Sequence, residues 1–296
     1  MHEIELYISV FFRMARPLQL LSIDVVYLFG IIIAAASGWA YDFEAIIIGF
    51  LALMPISVSI HYANEYADYE TDSLTTRTPY SGGSGALPES GLAPRIALIG
   101  AWAVLLIGSL TALAGAISGI LASTTLIILA VGAFFGWKYS LPPLKLAWRG
   151  YGEFTNAALG GVLLTIYGYS TQTGKVDGYI LLATIPFGML AFNNLLAVTW
   201  SNRGADASAG KNTLAVQLNQ KHLRLIYTFV ALTAYLLLVF LHEGIFPPIV
   251  AAAGFAALPL TLWAGGVYTR KQSPFPSVAA MMVFLIAQTI AWWTLI

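Results

Sequence analysis

No cysteine occurs in this chain, which excludes disulfides, iron–sulfur clusters and thiol catalysis. Histidine is nearly as scarce. Only His2, His61, His222 and His242 are present, and no two stand at a helical ligand-pair spacing, which argues against a zinc site. Charge is the third shortage: Asp, Glu, Lys and Arg make up 9% of the 296 residues, against roughly a quarter in soluble domains. So few charges cannot cover a water-facing surface. With 58% of the residues hydrophobic, the natural solvent of this chain is lipid. The formal net charge is zero, so nothing global points to nucleic acid. A basic head, a short apolar run and a small-residue cleavage site do not follow one another at the N-terminus. No removable signal peptide is expected, and the first apolar stretch is expected to remain as a membrane anchor.

What is abundant is long apolar sequence. Runs near ~20 residues read as membrane-spanning helices, and nine are expected, at 18–38, 43–63, 95–117, 118–136, 153–171, 177–200, 223–242, 247–266 and 275–295. Pro55, Pro186 and Pro259 fall inside spans and predict kinks. Basic residues test the count. With the N-terminus inside, Lys175 alone of the 14 Lys and Arg residues falls outside, as expected of positive-inside topology, whereas one span more or fewer scatters them over both faces. The expectation is therefore N-terminus in, C-terminus out. The long inside segments 64–94, 137–152 and 201–222 hold most of the polar chemistry, so function is expected at the cytoplasmic end. No short repeat and no long linker divides the chain, which reads as one domain over 1–296.

The segment Asn64-Glu65-Tyr66-Ala67-Asp68-Tyr69-Glu70-Thr71-Asp72 follows directly on an apolar run. Asn64, Asp68 and Asp72 stand four apart, so on a helix they share one face, each step advancing about 40°. Three hard oxygen donors without nitrogen or sulfur suit Mg²⁺, which completes its shell with water and phosphate oxygens. The plainer alternative is a solvated charged helix end, and Glu65 and Glu70 fit that description. A second oxygen-rich element follows the sixth run, where Asn202 and Asp206 again stand four apart, with Gly210 and Lys211 behind them. Glycine there lets backbone approach an anion. Two such clusters on one membrane face could hold a diphosphate bridged by two Mg²⁺ ions. The loop Trp137 to Gly150 adds paired prolines, which fix an extended turn, and Lys138, Lys145 and Arg149, which either neutralise phosphate or only set orientation.

Three motifs carry a specific resemblance: Asn-x-x-x-Asp-x-x-x-Asp at 64–72, Tyr-Ser-x-Pro-Pro-x-Lys at 139–145 and Asp-x-x-x-Gly-Lys-x-Thr-Leu at 206–214. In this order, on one face of a polytopic chain, they resemble the UbiA-type superfamily of intramembrane prenyltransferases over nearly the whole length. The resemblance implies an all-α bundle of nine transmembrane helices around a central cavity, open laterally to lipid and capped on the cytoplasmic side. It also implies two Mg²⁺ ions, held by Asn64, Asp68, Asp72, Asn202 and Asp206. At the position of Asn202 the family pattern carries Asp. Residues 139–153, the turn 171–174 and residues 210–216 are similar to the 1,4-dihydroxy-2-naphthoate prenyltransferases of menaquinone synthesis. That branch carries Asn-Asn-x-Arg-Asp where this chain has Val198, Thr199, Trp200, Ser201 and Asn202.

The reaction so implied is an ionisation-led alkylation. A polyprenyl diphosphate loses its diphosphate and an aromatic or quinone-precursor acceptor attacks the allylic cation. Asp68, Asp72 and Asp206 are the expected catalytic carboxylates. Arg77, Lys138, Lys145 and Lys211 are the candidates for the diphosphate. Tyr139 is a candidate to face the cation, since an aromatic ring attracts positive charge, or else an interface tyrosine. Residues 78–91 read as a small-residue lid or as a plain connector. Asp24, a charge inside the first span, is expected either to contact the acceptor or to hydrogen-bond within the bundle, and Gln19 is a weaker candidate of the same kind. A multi-pass membrane protein is expected, and the quinone role that the resemblance implies would suit a prokaryotic cell membrane. Two rivals stay open at this point: a secondary transporter using Asp24 and broken helices, and a silent lipid-binding homologue.

Overall fold

The computed structural model describes residues 2–74 and 83–296, and among them every regular element is helical. In chain order these are α1 (His2–Met14), α2 (Pro17–Ala36), α3 (Phe43–Ala67), α4 (Tyr69–Leu74), α5 (Ala86–Ser90), α6 (Arg95–Ile117) and α7 (Ser123–Ser140). After a 3₁₀ turn at Leu146–Trp148 come α8 (Gly152–Asn156), a π-helical segment (Ala157–Leu163), α9 (Leu164–Thr173), α10 (Gly178–Ser208) and α11 (Leu214–Gln217). The chain ends with α12 (Gln220–Phe240), α13 (Pro248–Gly254), a 3₁₀ turn (Phe255–Ala257), α14 (Leu258–Val267) and α15 (Phe275–Trp293).

Local chemistry accounts for the boundaries. The carboxylates of Asp42 and Asp177 and the carboxamide oxygen of Asn219 accept the N–H groups of Ala45, Ile180 and His222 at 3.0, 3.1 and 3.0 Å. Each satisfies an otherwise orphaned helix donor. Pro55 and Pro186 lie inside α3 and α10. Pro259 instead starts a helix: the chain breaks at Phe255–Ala257 and α14 restarts with Pro259 in its first turn, where its missing N–H costs nothing.

Seven helical stretches are long and apolar enough to cross a bilayer: α2, α3, α6, α10, α12, Pro248–Val267 and α15. The other two expected windows are helical as well, as α7 and as the run from α8 through α9. The expected span at 118–136 is displaced. Ile120 and Leu121 both donate to the Gly115 carbonyl at 2.9 Å, and Gly119 takes φ +77°, so α6 closes and α7 begins only at Ser123. As a result α7 runs to Ser140. Trp137, Lys138 and Tyr139 therefore stand on a helix and not in the loop expected for 137–152.

Small residues set the packing, as in lipid, where close backbone approach replaces the hydrophobic drive between helices. The buried face of α6 is Ala97, Ala101, Gly108, Ala112 and Gly115, and it lies along α3. A Cβ on Gly30 of α2 would stand 2.0 Å from the Thr165 carbonyl oxygen, and one on Gly168 of α9 would stand 2.1 Å from that of Tyr27. Only glycine permits that contact. A buried cluster around Tyr27, Phe29, Tyr167, Phe187 and Phe284 fills the middle, with a second around Tyr62, Leu87 and Trp137. At 31 residues α10 is about 46 Å long, beyond the ~30 Å hydrocarbon core, so its last turns carry Asn202 and Asp206 out of the apolar layer.

Candidate active site

The end of α3 builds half of the site. Asp68 leaves helical geometry (φ −98°, ψ 10°), yet its N–H donates to Asn64 O and the Asp72 N–H donates to Asp68 O, both at 2.8 Å. The helical pitch thus continues into α4, and Asn64, Asp68 and Asp72 all line one cavity. Asp68 is held on three sides: Trp148 Nε1–H donates to Oδ1 at 2.9 Å, and Lys211 Nζ and Asn64 Nδ2 donate to Oδ2 at 3.0 and 2.9 Å. Asn64 Nδ2 also reaches Ser140 Oγ at 2.8 Å.

The end of α10 supplies the other half. Lys211 Nζ stands 3.9 Å from Asp206 Oδ1, so one ammonium links the two acidic elements expected from the sequence. Burial alone would lower the Lys211 pKa, but Asp68 and Asp206 more than reverse that and keep it charged. Asn202 lines the same cavity, and its Oδ1 is buried without a hydrogen-bond partner among the described residues. Asp72 packs against Gly83, where a Cβ would fall 1.9 Å from its Oδ2. Burial pushes the Asp72 carboxyl up to about 7, with Arg16 opposing and Asp68 reinforcing the shift.

The cavity measures about 1060 Å³. Its polar end holds Asn64, Asp68, Asp72, Asn202, Asp206 and Lys211, and Tyr139 and Gln19 also line it. Below that end, Val26, Ile128, Leu129, Leu163, Phe187 and Leu285 give it apolar walls. Such a shape suits an amphiphile with a charged head and a hydrocarbon tail.

Other sequence candidates stand elsewhere. Lys138 Nζ donates to the Pro142 carbonyl at 2.8 Å, and Lys145 Nζ sits 4.6 Å from the Trp148 ring centre; neither lines the cavity. Arg149 is exposed. Asp24 lines a separate crevice of about 340 Å³ between α2 and α3, among Tyr27, Leu28, Ile46, Ile47, Phe50 and Leu51. Arg77 and the first part of the 78–91 segment lie outside the described residues; the rest of that segment includes α5, with Ala86 and Leu87 buried.

Five residues, Arg16, Glu65, Ser84, Trp148 and Glu153, gain roles that sequence reading did not give them. Glu65 was expected at a solvated helix end but is buried at 2% exposure. Arg16 donates to it through Nε and Nη2, at 2.9 and 2.5 Å, and to Asn64 Oδ1 at 2.9 Å. Ser84 donates to both Glu65 oxygens, from N–H at 2.9 Å and from Oγ at 2.7 Å. Trp148 orients Asp68. Glu153 is fully buried, and its Oε1 accepts from Thr199 Oγ1 at 3.0 Å and from the Leu214 N–H at 3.2 Å. The scarcity of charge was the available signal: each buried charge in such a chain needs a reason.

Among the described residues no three His, Asp or Glu side chains converge to cage a metal by themselves. The donor set nonetheless fits Mg²⁺. It is all oxygen, it includes a buried Asn202 oxygen with no partner among the described residues, and two of its carboxylates, Asp68 and Asp206, already flank a cation, the Lys211 ammonium. An ion that draws the rest of its shell from phosphate and water needs no complete protein cage.

An all-helical bundle of membrane-spanning helices, with an apolar cavity that ends in carboxylates and basic groups, has the architecture of an intramembrane enzyme. The chain belongs to the UbiA prenyltransferase family, whose model matches residues 25–295, and it is a prenyltransferase. It is 30% identical over 214 residues to the 1,4-dihydroxy-2-naphthoate octaprenyltransferase of Mycobacterium tuberculosis, covering 71% of this chain and 69% of that one. Its fold is similar to a UbiA homologue from Archaeoglobus fulgidus bound to DMAPP and Mg²⁺, with TM-score 0.71 and 17% identity over 97% of this chain and 99% of that one. It is also similar to a digeranylgeranylglyceryl phosphate synthase, with TM-score 0.69 and 14% identity over 97% and 99%.

Proposed function

We propose that this protein transfers the prenyl group of a polyprenyl diphosphate to an aromatic acceptor in the synthesis of menaquinone or a related quinone. The observation that carries this reading is the convergence of Asp68 and Asp206, from two distant helix ends, on Lys211 at the polar end of an apolar cavity. The naphthoate prenyltransferase relative from Mycobacterium supports the choice of acceptor.

In this reading Asn64, Asp68, Asp72, Asn202 and Asp206 hold Mg²⁺. The bound metal supplies the positive charge that makes diphosphate a leaving group. Lys211, and Arg77 from the segment after the first motif, bind the diphosphate oxygens. The allylic C–O bond breaks, the electron pair leaves with the diphosphate, and an aromatic carbon of the acceptor takes the cation and then loses its proton. The Tyr139 ring faces the cation and favours it electrostatically. The apolar walls take the hydrocarbon chain and exclude water that would quench the cation. The two helical windows beyond the seven clear spans complete nine crossings, with the polar end and its cap on the cytoplasmic side of a prokaryotic membrane. Basic residues concentrate at that end.

Diphosphate release from geranylgeranyl diphosphate by the purified protein tests the reading, with a panel of aromatic acceptors including dihydroxynaphthoate and with Mg²⁺ present or chelated. Mg²⁺-dependent release with one aromatic acceptor is the expected result. Asp68→Ala and Asp72→Ala are expected to abolish it in folded protein, and near-normal turnover in either would remove the assignment. A second acceptor class, a lipid headgroup, draws support from the fold neighbour that makes a glyceryl phosphate lipid and from the Val198 to Asn202 stretch, which departs from the naphthoate branch. Release with a glyceryl phosphate acceptor and with none of the aromatic ones would select it.

A further inference from the structure

Helix α1 divides its circumference three ways. Val10 and Met14, 2% and 0% exposed, pack in one buried cluster with Tyr62 and Leu87, and Tyr62 Oη donates to the Phe11 carbonyl at 2.9 Å. Beside that packed stripe run Ile4, Ile8 and Phe12, exposed at 66%, 65% and 66%. Spaced four apart, they form one band that drifts about 40° per step. The remaining side carries Glu5, Ser9 and Arg13, all exposed, with Leu6 the one large apolar side chain among them. A contiguous band of three large apolar side chains needs cover of its own.

The adjoining surface of α2 is what identifies that cover. Only Ala15 and Arg16 separate α1 from α2, and Leu18 and Leu21, at the start of that spanning helix, are exposed at 77% and 58%. The apolar band of α1 is therefore continuous with a surface that faces lipid. Its depth follows from its neighbours: Arg13 pairs with Glu89 at 2.5 Å and Arg16 with Glu65, so α1 lies at the polar end of the bundle, where hydrocarbon gives way to headgroups. Phe12, Leu18 and Leu21 are exposed and also line the central cavity, which places the cavity's opening beside α1.

We infer that α1 lies in the plane of the bilayer interface, with Ile4, Ile8 and Phe12 among acyl chains and Glu5, Ser9 and Arg13 toward water. Phe12 forms the lipid-side edge of the cavity opening. An amphipathic helix with one apolar face and one polar face partitions in this way. The inference is independent of the acceptor and of catalysis.

Because the chain has no cysteine, a single introduced thiol takes a fluorescent label uniquely. Ile4→Cys, Ile8→Cys, Phe12→Cys and Ser9→Cys, labelled with bimane and placed in phosphatidylcholine nanodiscs, are compared under three quenchers. These are iodide in water, a lipid spin label near the headgroup and one near the bilayer centre. All four positions are exposed, so the label does not disturb the core. Probes at 4, 8 and 12 are expected to be quenched severalfold more by the headgroup-level label than by iodide, and the probe at 9 the reverse. Equal iodide quenching at 8 and 9 would put α1 in water and overturn the inference. Strongest quenching by the deep label would make α1 an inserted helix and overturn it equally.

Discussion

The indole N–H of Trp148 donates to Asp68 Oδ1 at 2.9 Å, and the Trp148 carbonyl accepts the Asn212 N–H at 3.0 Å. One residue thereby joins the end of α3 to the segment that carries Lys211. Trp148→Phe keeps the ring and the carbonyl but removes the donor to a carboxylate, a hydrogen bond worth about 1.5–3 kcal/mol. If the proposed assignment of Asp68 is right, turnover falls about tenfold or more. The half-maximal Mg²⁺ concentration rises as the carboxylate loses its set orientation, while the melting temperature changes little. A Mg²⁺ titration of diphosphate release, run beside thermal unfolding, checks this. An unchanged Mg²⁺ requirement would remove Trp148 from the site.

The Arg16–Glu65 pair makes a stability prediction. Glu65 is 1% exposed at its side chain and Arg16 17%, so the pair is largely withheld from water. Removing one charge leaves the other buried without its partner, which typically costs about 3–5 kcal/mol. Glu65→Gln is expected to lower the melting temperature clearly. Adding Arg16→Met to it should restore part of the loss, because the double variant buries no lone guanidinium. A double variant no more stable than Glu65→Gln would show that the pair carries little coupling.

Gly83 tests how Asp72 is held. The glycine has φ +66°, and a Cβ there would meet Asp72 Oδ2 at 1.9 Å, so Gly83→Ala must push the carboxylate aside. Left-handed backbone alone costs a non-glycine residue about 1–2 kcal/mol. Gly91→Ala controls for that strain, since Gly91 has φ +68° with nothing within 4 Å. Turnover is expected to fall at least about tenfold in Gly83→Ala and to stay near wild type in Gly91→Ala, because small displacements of a reacting group are costly. Equal losses in both variants would assign the effect to backbone strain and not to Asp72.

The pattern of what was legible in the sequence follows the range of the interactions. Asn64, Asp68 and Asp72 could be read together because helical spacing puts them on one face, and Asn202 with Asp206 for the same reason. Arg16, Glu65 and Trp148 could not, since their partners lie far along the chain and their pairing exists only once α1, α3 and the 146–148 turn are assembled. Asp24 shows the limit within one helix. Its place in the first span was legible, but the rotation of α2 that turns it toward Ile46 and Phe50 is set by the Gly30–Gly168 contact with α9. The displaced start of α7 has a different origin, a local turn in which Gly119 and the Gly115 carbonyl close α6 before the apolar pattern ends.

Asn202 carries the last prediction. It stands one helical turn before Asp206, it lines the polar end, and its Oδ1 is buried without a partner among the described residues. A carboxamide offers a metal one neutral oxygen, whereas a carboxylate offers two oxygens and a full charge. Asn202→Asp therefore adds a negative charge beside Asp206, which repels in the metal-free protein and attracts Mg²⁺ when it is present. The expected result has two opposite signs. The melting temperature in chelator falls relative to wild type, and its rise on adding Mg²⁺ becomes larger, because a ligand that binds only the folded state stabilises it in proportion to its affinity. The half-maximal Mg²⁺ concentration for diphosphate release falls in parallel. A variant destabilised in chelator and not rescued by Mg²⁺ would mean that position 202 faces the cavity but lies out of reach of the metal, and the second element would then rest on Asp206 alone.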